Sequence, residues 1–444
     1  MPKVRKKRFG GPHQSNSAHA ACRKLAGTLD DTKSRRVLLL QGPVGPFFKR
    51  LQRDLEQNGF AAWHVAFHRA DQFFAAPQNT LHFGGDIDEW LPWLKEVLRF
   101  GGFDAIVLFG SERPAHRIAR ELACAAGIDV ISLEEGYIRP GYITVENQGN
   151  NASSPLAAQI NHTASSGSPP IADVKSVNSL PRMITYGALY YTLRGAMTPR
   201  AARHMFHRET PLVSEAFYWA RNFARRVVRG SRDFGIIQSL LEHFDGQFYL
   251  VPLQVGADAN MLRFSNGWNS TQLITASIQS FAQTAPAGNR LFFKVHTMER
   301  GHNNLTPLIR RIAAENRVSE RVDVIETGSL GLLTRHSAGM ITINSTSAFS
   351  AIFHGVPLMV LGRAIYAHPS LATLGAAFDS FWTTTHVASP SVRADYIKWI
   401  KEETLKPGDF YADAGIDVAV RGITEKLKSS TEQKTQQIIL KAAS

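Results

Sequence analysis

Cysteine is nearly missing: the 444 residues contain two, Cys22 and Cys124. Two thiols build neither a metal cluster nor a disulfide framework, and such usage fits a reducing cytoplasm. Long apolar runs are missing as well, so no stretch approaches the roughly 18–20 residues that span a bilayer. The basic start, with Lys3, Arg5, Lys6, Lys7 and Arg8, has no apolar segment behind it, and no secretory signal is expected. Phosphate-binding signatures are wanting where they would be sought. The stretch "VLLLQGPVGPFF" (37–48) reads as strand, loop and helix start, yet it lacks the G-x-G-x-x-G spacing. Pro43 and Pro46 remove backbone donors that a phosphate cradle would use, and no Lys-Ser/Thr pair follows. The loop is therefore read as a wall of an interdomain cleft. No Asp-x-Asp is read at a strand end, so neither a metal nor a cofactor is expected.

Acidic residues are comparatively scarce. Against 50 Lys and Arg stand 37 Asp and Glu, a formal charge of +13. Such an excess serves nucleic acid, anionic lipid or an acidic substrate, or simply solvates the surface. It is uneven. Between Arg182 and Arg232 there are ten arginines and two glutamates, interleaved with Tyr186, Tyr190, Tyr191, Phe217, Tyr218, Trp219 and Phe223. Arginine beside aromatics suits a membrane surface at least as well as RNA; a solvated helical hairpin is the plain alternative. Zinc, RRM and helix-turn-helix signatures are lacking, which counts against nucleic acid as the partner.

The length predicts two domains. Residues 1–33 read as a disordered basic tail. Residues 34–180 alternate strands and helices, "VLLL", "AAWHVAF", "DAIVLFG" and "IDVISL" being the strands, and end in a Ser/Asn/Gly/Pro-rich connector from about Asn147. Residues 181–240 form the arginine-aromatic helical segment. A second alternating series, 241–390, contains "QFYLVPLQV", "RLFFKVH" and "VDVIE", and 391–444 is mostly helical. The expected fold class is α/β: two Rossmann-like domains with parallel sheets, a helical insertion and a C-terminal helix. This suggests the GT-B-like arrangement with domains facing a cleft, although periodicity alone supports only the two Rossmann-like domains and leaves other enzymes open.

Ligands of open α/β sheets gather at the carboxyl ends of strands, which directs attention to four places. Glu134 and Glu135 end "IDVISLEEG", where Gly136 lets the backbone turn sharply. Gln254 and Asp258 follow "LVPLQVGAD", with Asp258 equally readable as a helix N-cap. Lys294 and His296 leave the strand "FFKVH". Asn344, Ser345, Thr346 and Ser347 stand between a buried strand and an apolar helix, where hydroxyls and backbone N–H groups would hold an anion.

In this combination the segments "SERPAHR", "EEGYIRPGYIT", "PLQVGAD", "FKVH…ERGH" and "NSTSAFSAIFHGVP…VLGRAIY" resemble the successive motifs of the capsule polysaccharide biosynthesis/export family of the KpsS/LipB type. The resemblance runs through most of residues 36–370. It implies a retaining β-Kdo transferase, Kdo being 3-deoxy-D-manno-oct-2-ulosonic acid, that uses CMP-β-Kdo and builds a linker on phosphatidylglycerol for capsule export in Gram-negative bacteria. On that basis Asp258 is the expected nucleophile and Glu135 the base, with Glu134 as its substitute. Ser345, Thr346 and Ser347 would clamp the CMP phosphate, Lys294, His296 and Gln254 would lie near the nucleotide, and Arg113, with His116 in the same motif, would pair with the sugar carboxylate. The expected partners are a CMP-sugar donor, an anionic lipid at the inner membrane and other capsule assembly proteins. One departure stands out: Thr297 follows His296 where the family carries proline. A CMP-sialic acid-type transferase is the nearest alternative, and a non-catalytic nucleic-acid-binding protein a more distant one.

Overall fold

The computed structural model describes residues 13–27, 34–160, 179–197, 212–384 and 386–442. They divide into two compact units: the chain up to Asn150, the helix at 180–197 and everything from Leu405 onward make the first, and 151–160 with 212–404 make the second.

The first unit runs α1 (His13–Ala26), β1 (Arg35–Leu40), α2 (Phe47–Gln57), β2 (Phe60–Ala66), α3 (Arg69–Phe74), β3 (Thr80–His82), α4 (Ile87–Gly101), β4 (Ala105–Phe109), α5 (Pro114–Ala125), β5 (Asp129–Glu135), β6 (Tyr142–Asn147) and α6 (Leu180–Met197). The second runs α7 (Leu212–His243), β7 (Phe248–Pro252), α8 (Ala259–Phe264), α9 (Ser270–Thr284), β8 (Arg290–Lys294), α10 (Thr306–Glu315), β9 (Val322–Ile325), α11 (Leu330–Arg335), β10 (Gly339–Thr342), α12 (Ala348–His354), β11 (Leu358–Val360), β12 (Thr373–Leu374), α13 (Phe378–Phe381) and α14 (Pro390–Thr404). The chain then returns to the first unit as β13 (Leu405–Pro407) and α15 (Asp413–Ala442).

Strand β1 shows why the predicted strands form. Val37 and Leu39 enter one core with Leu51 and Leu55 of α2 and Ile423 of α15, while Leu38 and Leu40 enter the opposite one with Trp90 and Leu94 of α4. A strand covered on both faces needs apolar residues throughout, and "VLLL" supplies them. The first sheet has the order β13-β6-β5-β4-β1-β2-β3, with β1 to β5 parallel. Its far edge departs from the parallel expectation: β6 runs antiparallel to β5, and β13 antiparallel to β6. The second sheet, β12-β11-β10-β7-β8-β9, is parallel throughout. In each, strand order reverses beside the unit's first strand, between β1 and β4 and between β7 and β10. That reversal is the topological switch point of a doubly wound sheet.

Three sequence expectations need adjustment. The tail at 1–33 is helical over His13–Ala26, because Ala21 and Leu25 lie one helical turn apart and pack into the core beside α4; residues 1–12 and 28–33 lie outside the described residues. The terminal helix α15 belongs to the first unit, where Ile416, Ala419, Val420, Ile423 and Leu427 line one face against β1 and α2. The arginine-aromatic segment is two helices assigned to different units, α6 to the first and α7 to the second; residues 198–211, like the connector over 161–178, are not among those described. Asp86 and Asp88, an Asp-x-Asp near β3, begin α4, where Asp86 forms a capping box with Glu89.

Candidate active site

In the second unit the predicted residues gather at the carboxyl ends of three neighbouring strands, β10, β7 and β8. Two amides join the loops at the switch point. Gln254, just past β7, donates from Nε2 to Asn344 Oδ1 at 2.9 Å and accepts the Asn344 backbone N–H at 3.1 Å. Asn344 Nδ2 donates to the Asn260 carbonyl at 3.1 Å, tying the loop after β10 to the start of α8. Buried Asn151 braces the same floor, its Oδ1 accepting from Ile365 N at 2.9 Å.

Above that floor lies the Ser345–Thr346–Ser347 turn. Ser347 donates through Oγ at 2.9 Å and through its backbone N–H at 3.2 Å to Ser345 Oγ, so part of the expected anion-binding capacity is used internally. Ser347 starts α12 without a side-chain cap bond, which excludes the plain capping box. Half-buried Thr346 donates neither its amide nor its hydroxyl to any of the described residues. Lys294 ends β8 with its side chain buried and its ammonium hydrogen-bonded to none of the described residues. Burial pushes its pKa down and Arg300 adds to that shift, while Asp233 opposes it. His296 is exposed; its Nδ1 accepts from Met298 N at 3.2 Å and so shapes the turn. The Thr297 carbonyl accepts from Asn222 Nδ2 at 2.8 Å, which anchors the turn to α7. Asp258 is exposed and caps α8, Oδ1 accepting from Asn260 N at 2.8 Å and Met261 N at 3.3 Å. The N-cap reading of that residue is therefore correct as local structure.

The first unit separates the two glutamates. Adjacent strand residues point to opposite faces, so Glu135 shares a face with Leu133 and Glu134 shares one with Ser132. Leu133 packs among Ile131, Phe410 and Tyr411, and Tyr411 donates its hydroxyl to Glu135 Oε1 at 3.0 Å. Burial, then the Glu135 charge, raise the Tyr411 pKa well above its usual value, which keeps the phenol a donor. Gly136 is required here, since a Cβ would collide with the Tyr142 carbonyl across the β5–β6 turn.

At the first unit's switch point, Arg113 donates from Nη1 to Gln41 Oε1 at 3.4 Å and lies 5.0 Å from the Phe109 ring centre. Gly110, at φ 79°, supplies the left-handed turn that brings Arg113 back over the strand. Buried His116 donates from Nδ1 to the Gly110 carbonyl at 3.0 Å, so the structure places it under this loop as a brace. Sequence reasoning missed the polar cluster beside it. Gln41 Nε2 donates to Tyr190 OH at 3.1 Å, and Tyr190 donates to Asp71 Oδ1 at 2.8 Å. His68 accepts the Asp71 N–H on Nδ1 at 3.2 Å, which leaves its Nε2–H to donate to Tyr190 OH at 3.1 Å. The available signal was Gln41, a polar residue directly after an unbroken apolar strand; Tyr190 arrives from a helix more than a hundred residues away, beyond the reach of spacing.

Burial also sets a pH dependence. It holds His116 down at about 3, with Arg113 contributing, and His64 in β2 down at about 4. Below the ordinary value of about 6.5 the unfolded chain takes up protons that these folded rings refuse, so stability is lost as pH falls. From pH 7.5 to 5.5 the two should together cost the fold roughly 2–3 kcal/mol. Urea unfolding of the parent and a His64→Leu, His116→Leu variant at both values is the check: the parent's loss should shrink in the variant, and equal losses would contradict the assignment.

Comparison with known proteins adds the family. The family model described as capsule polysaccharide biosynthesis protein matches residues 104–411. The capsule polysaccharide export protein KpsS of Escherichia coli is 32% identical over 349 residues, 78% of this chain and 90% of its own length. The capsule polysaccharide modification protein LipB of Neisseria meningitidis serogroup B is 30% identical over 388 residues, 85% of this chain and 92% of its own. Among solved structures, the beta Kdo 2,7 transferase KpsC of Thermosulfurimonas dismutans aligns at a TM-score of 0.38 and 14% identity, covering 81% of this chain and 89% of that one. With its match to the family model and its identity to KpsS and LipB along most of its length, the chain belongs to the capsule polysaccharide biosynthesis family.

Proposed function

We propose that this protein is a retaining glycosyltransferase that moves β-Kdo from CMP-β-Kdo to a phosphatidylglycerol-type lipid acceptor at the cytoplasmic face of the inner membrane. Retention calls for two inversions. An Asp258 carboxylate oxygen bonds to the anomeric carbon as the bond to the CMP phosphate oxygen breaks, and CMP leaves with the electron pair. The acceptor hydroxyl then attacks the same carbon, Glu135 takes its proton and the Asp258 ester bond breaks. CMP is a good leaving group, so the departing phosphate needs positive charge and donors more than a strong acid. Lys294 and Thr346 supply these, with Ser345 and Ser347 beside them, while His296 and Gln254 serve the nucleotide and Arg113 the sugar carboxylate. The mechanism needs no metal or cofactor.

One observation carries this reading. Three adjacent strand ends gather an exposed carboxylate, Asp258, a buried ammonium, Lys294, and an open hydroxyl–amide pair, Thr346. Those are the groups that attack at a sugar beside a nucleotide phosphate demands. A donor screen tests it: hydrolysis of CMP-Kdo, CMP-sialic acid and UDP-sugars is followed without acceptor. Release of CMP from CMP-Kdo at least about tenfold faster than from the others is expected. Turnover of UDP-sugars alone would overturn the proposal, and preference for CMP-sialic acid would move it to the alternative donor.

A further inference from the structure

Helix α7 is built inside out. Over residues 222–233 its inner side, Asn222, Arg225, Arg229 and Asp233, recurs at helical spacing and is polar, and Ile237 and buried Leu240 continue that side toward the helix end. Asp233 is fully buried and its Oδ2 accepts from the backbone N–H groups of Glu326 at 2.8 Å and Thr327 at 3.0 Å. Arg225 and Arg229 both pair with the buried Glu326 carboxylate, and Arg225 Nη1 donates to the Arg300 carbonyl at 2.6 Å. Gly301 lets the helix approach closely, since a Cβ there would strike the Tyr218 carbonyl.

The opposite side is apolar and bare. Phe217, Trp219, Phe223, Val227, Val228 and Phe234 are between 41% and 78% exposed. At 100° per residue they fall within one half of the helix circumference, which over residues 217–235 holds no charged side chain. The strip is about 27 Å long at 1.5 Å per residue. Arginines stand at both its borders: Arg226 beside Trp219, and Arg221 and Arg232 beside Val228. A soluble helix ordinarily buries its apolar side and solvates its polar side. Here the polar side is fastened to the unit, and the apolar side has no described residue over it.

We propose that this face of α7 is a membrane-docking surface that lies in the headgroup layer of an anionic bilayer, the aromatic ridge inserted and the bordering arginines on lipid phosphates. A wide apolar face, aromatic side chains and cationic borders are the features of an interfacial helix. No described helix is long and apolar enough to cross a membrane. The absence of acidic side chains from the strip and its edges, within a chain of formal charge +13, favours anionic lipid over a protein groove. The inference deepens the lipid-acceptor reading above and takes its purpose from it, whereas vesicle binding is measured without turnover.

Flotation of the full chain with phosphatidylcholine vesicles, with and without about 30% phosphatidylglycerol, is the experiment. The parent is expected to float with the anionic vesicles. A Phe223→Ser, Val227→Ser, Phe234→Ser variant should lose about a hundredfold or more in affinity, since each side chain leaves the bilayer. Arg226→Gln with Arg232→Gln should lose about thirtyfold on anionic vesicles and little on neutral ones. If the serine variant unfolds, a second readout remains: brominated lipid should quench the parent's fluorescence by an increment that Trp219→Phe removes. Parent-like binding by the serine variant, no parent binding to either vesicle, or no Trp219-dependent quenching would each overturn the proposal. So would a parent dimer that the serine variant converts to monomer without any vesicle uptake, which would make the strip an interface between copies. CMP release without vesicles should be equal in parent and serine variant. Vesicle binding with no CMP release would sink the transferase reading and leave the docking surface standing.

Discussion

Asp258→Asn is expected to slow transfer from CMP-Kdo by about a thousandfold or more. Asparagine is the informative substitution because Asp258 also caps α8. Asn caps a helix about as well as Asp, so the fold is kept while the nucleophilic oxygen is lost. Alanine would remove the cap as well, at about 1 kcal/mol, and confuse the two roles. The same preparation gives a second readout. Mixed with CMP-Kdo and no acceptor, the parent should gain the mass of one Kdo residue, and the variant should gain none. Full activity in Asp258→Asn would eliminate the aspartate as nucleophile. For the base, Glu135→Gln should cost about a hundredfold, and Glu134→Gln, on the opposite face of β5, only a few-fold. The reverse order would exchange their roles.

The largest effect on stability is expected at Glu326. Its carboxylate is buried and accepts from Arg225 and Arg229, with Arg300 Nε 3.9 Å away. Removing one partner from a buried ionic cluster leaves the others desolvated and uncompensated, and Glu326→Ala should lose about 3–5 kcal/mol. Arg229 is more than a quarter exposed and contributes least to that figure. Glu326→Gln retains acceptor geometry without charge and should lose less. Urea midpoints give the magnitude, and amide exchange gives the place. Over 222–233 the inner side of α7 is held by these polar contacts, so protection should fall first along that part of α7 and the 296–303 turn. Unchanged exchange there, with a global loss elsewhere, would contradict the anchoring role.

Most of the architecture was legible because it depends on short-range pattern. Unbroken apolar strands such as 37–40 and 248–252 suit a sheet covered on both sides, and their alternation with helices leads to the parallel strands that make up all of the second sheet and five of the seven in the first. The placement of the second unit's candidate residues at neighbouring strand ends was legible for a related reason: they follow strands directly, and the strands of a parallel sheet end together. The first unit was read less fully. "EEG" offered two equivalent carboxylates, and only the partner at Tyr411, 276 positions away, distinguishes them. His116 looked like part of a binding motif, yet its ring is buried under the Gly110 loop, a consequence of how α5 packs that spacing does not record. Of the Gln41–Asp71–Tyr190 cluster only Gln41 left a trace, since Tyr190 comes from a helix far along the chain.

Helix α7 marks the boundary most plainly. Its sequence announced arginines interleaved with aromatics in a helical segment, and a choice of lipid or solvent. Which side turns inward is a different matter, settled by the distant Glu326 carboxylate and by Asp233 capping the backbone beyond β9. Local pattern specifies elements because backbone geometry repeats every two or 3.6 residues. Orientation, burial and charge pairing arise from residues far apart in the chain, and they exist only once the sheets have assembled.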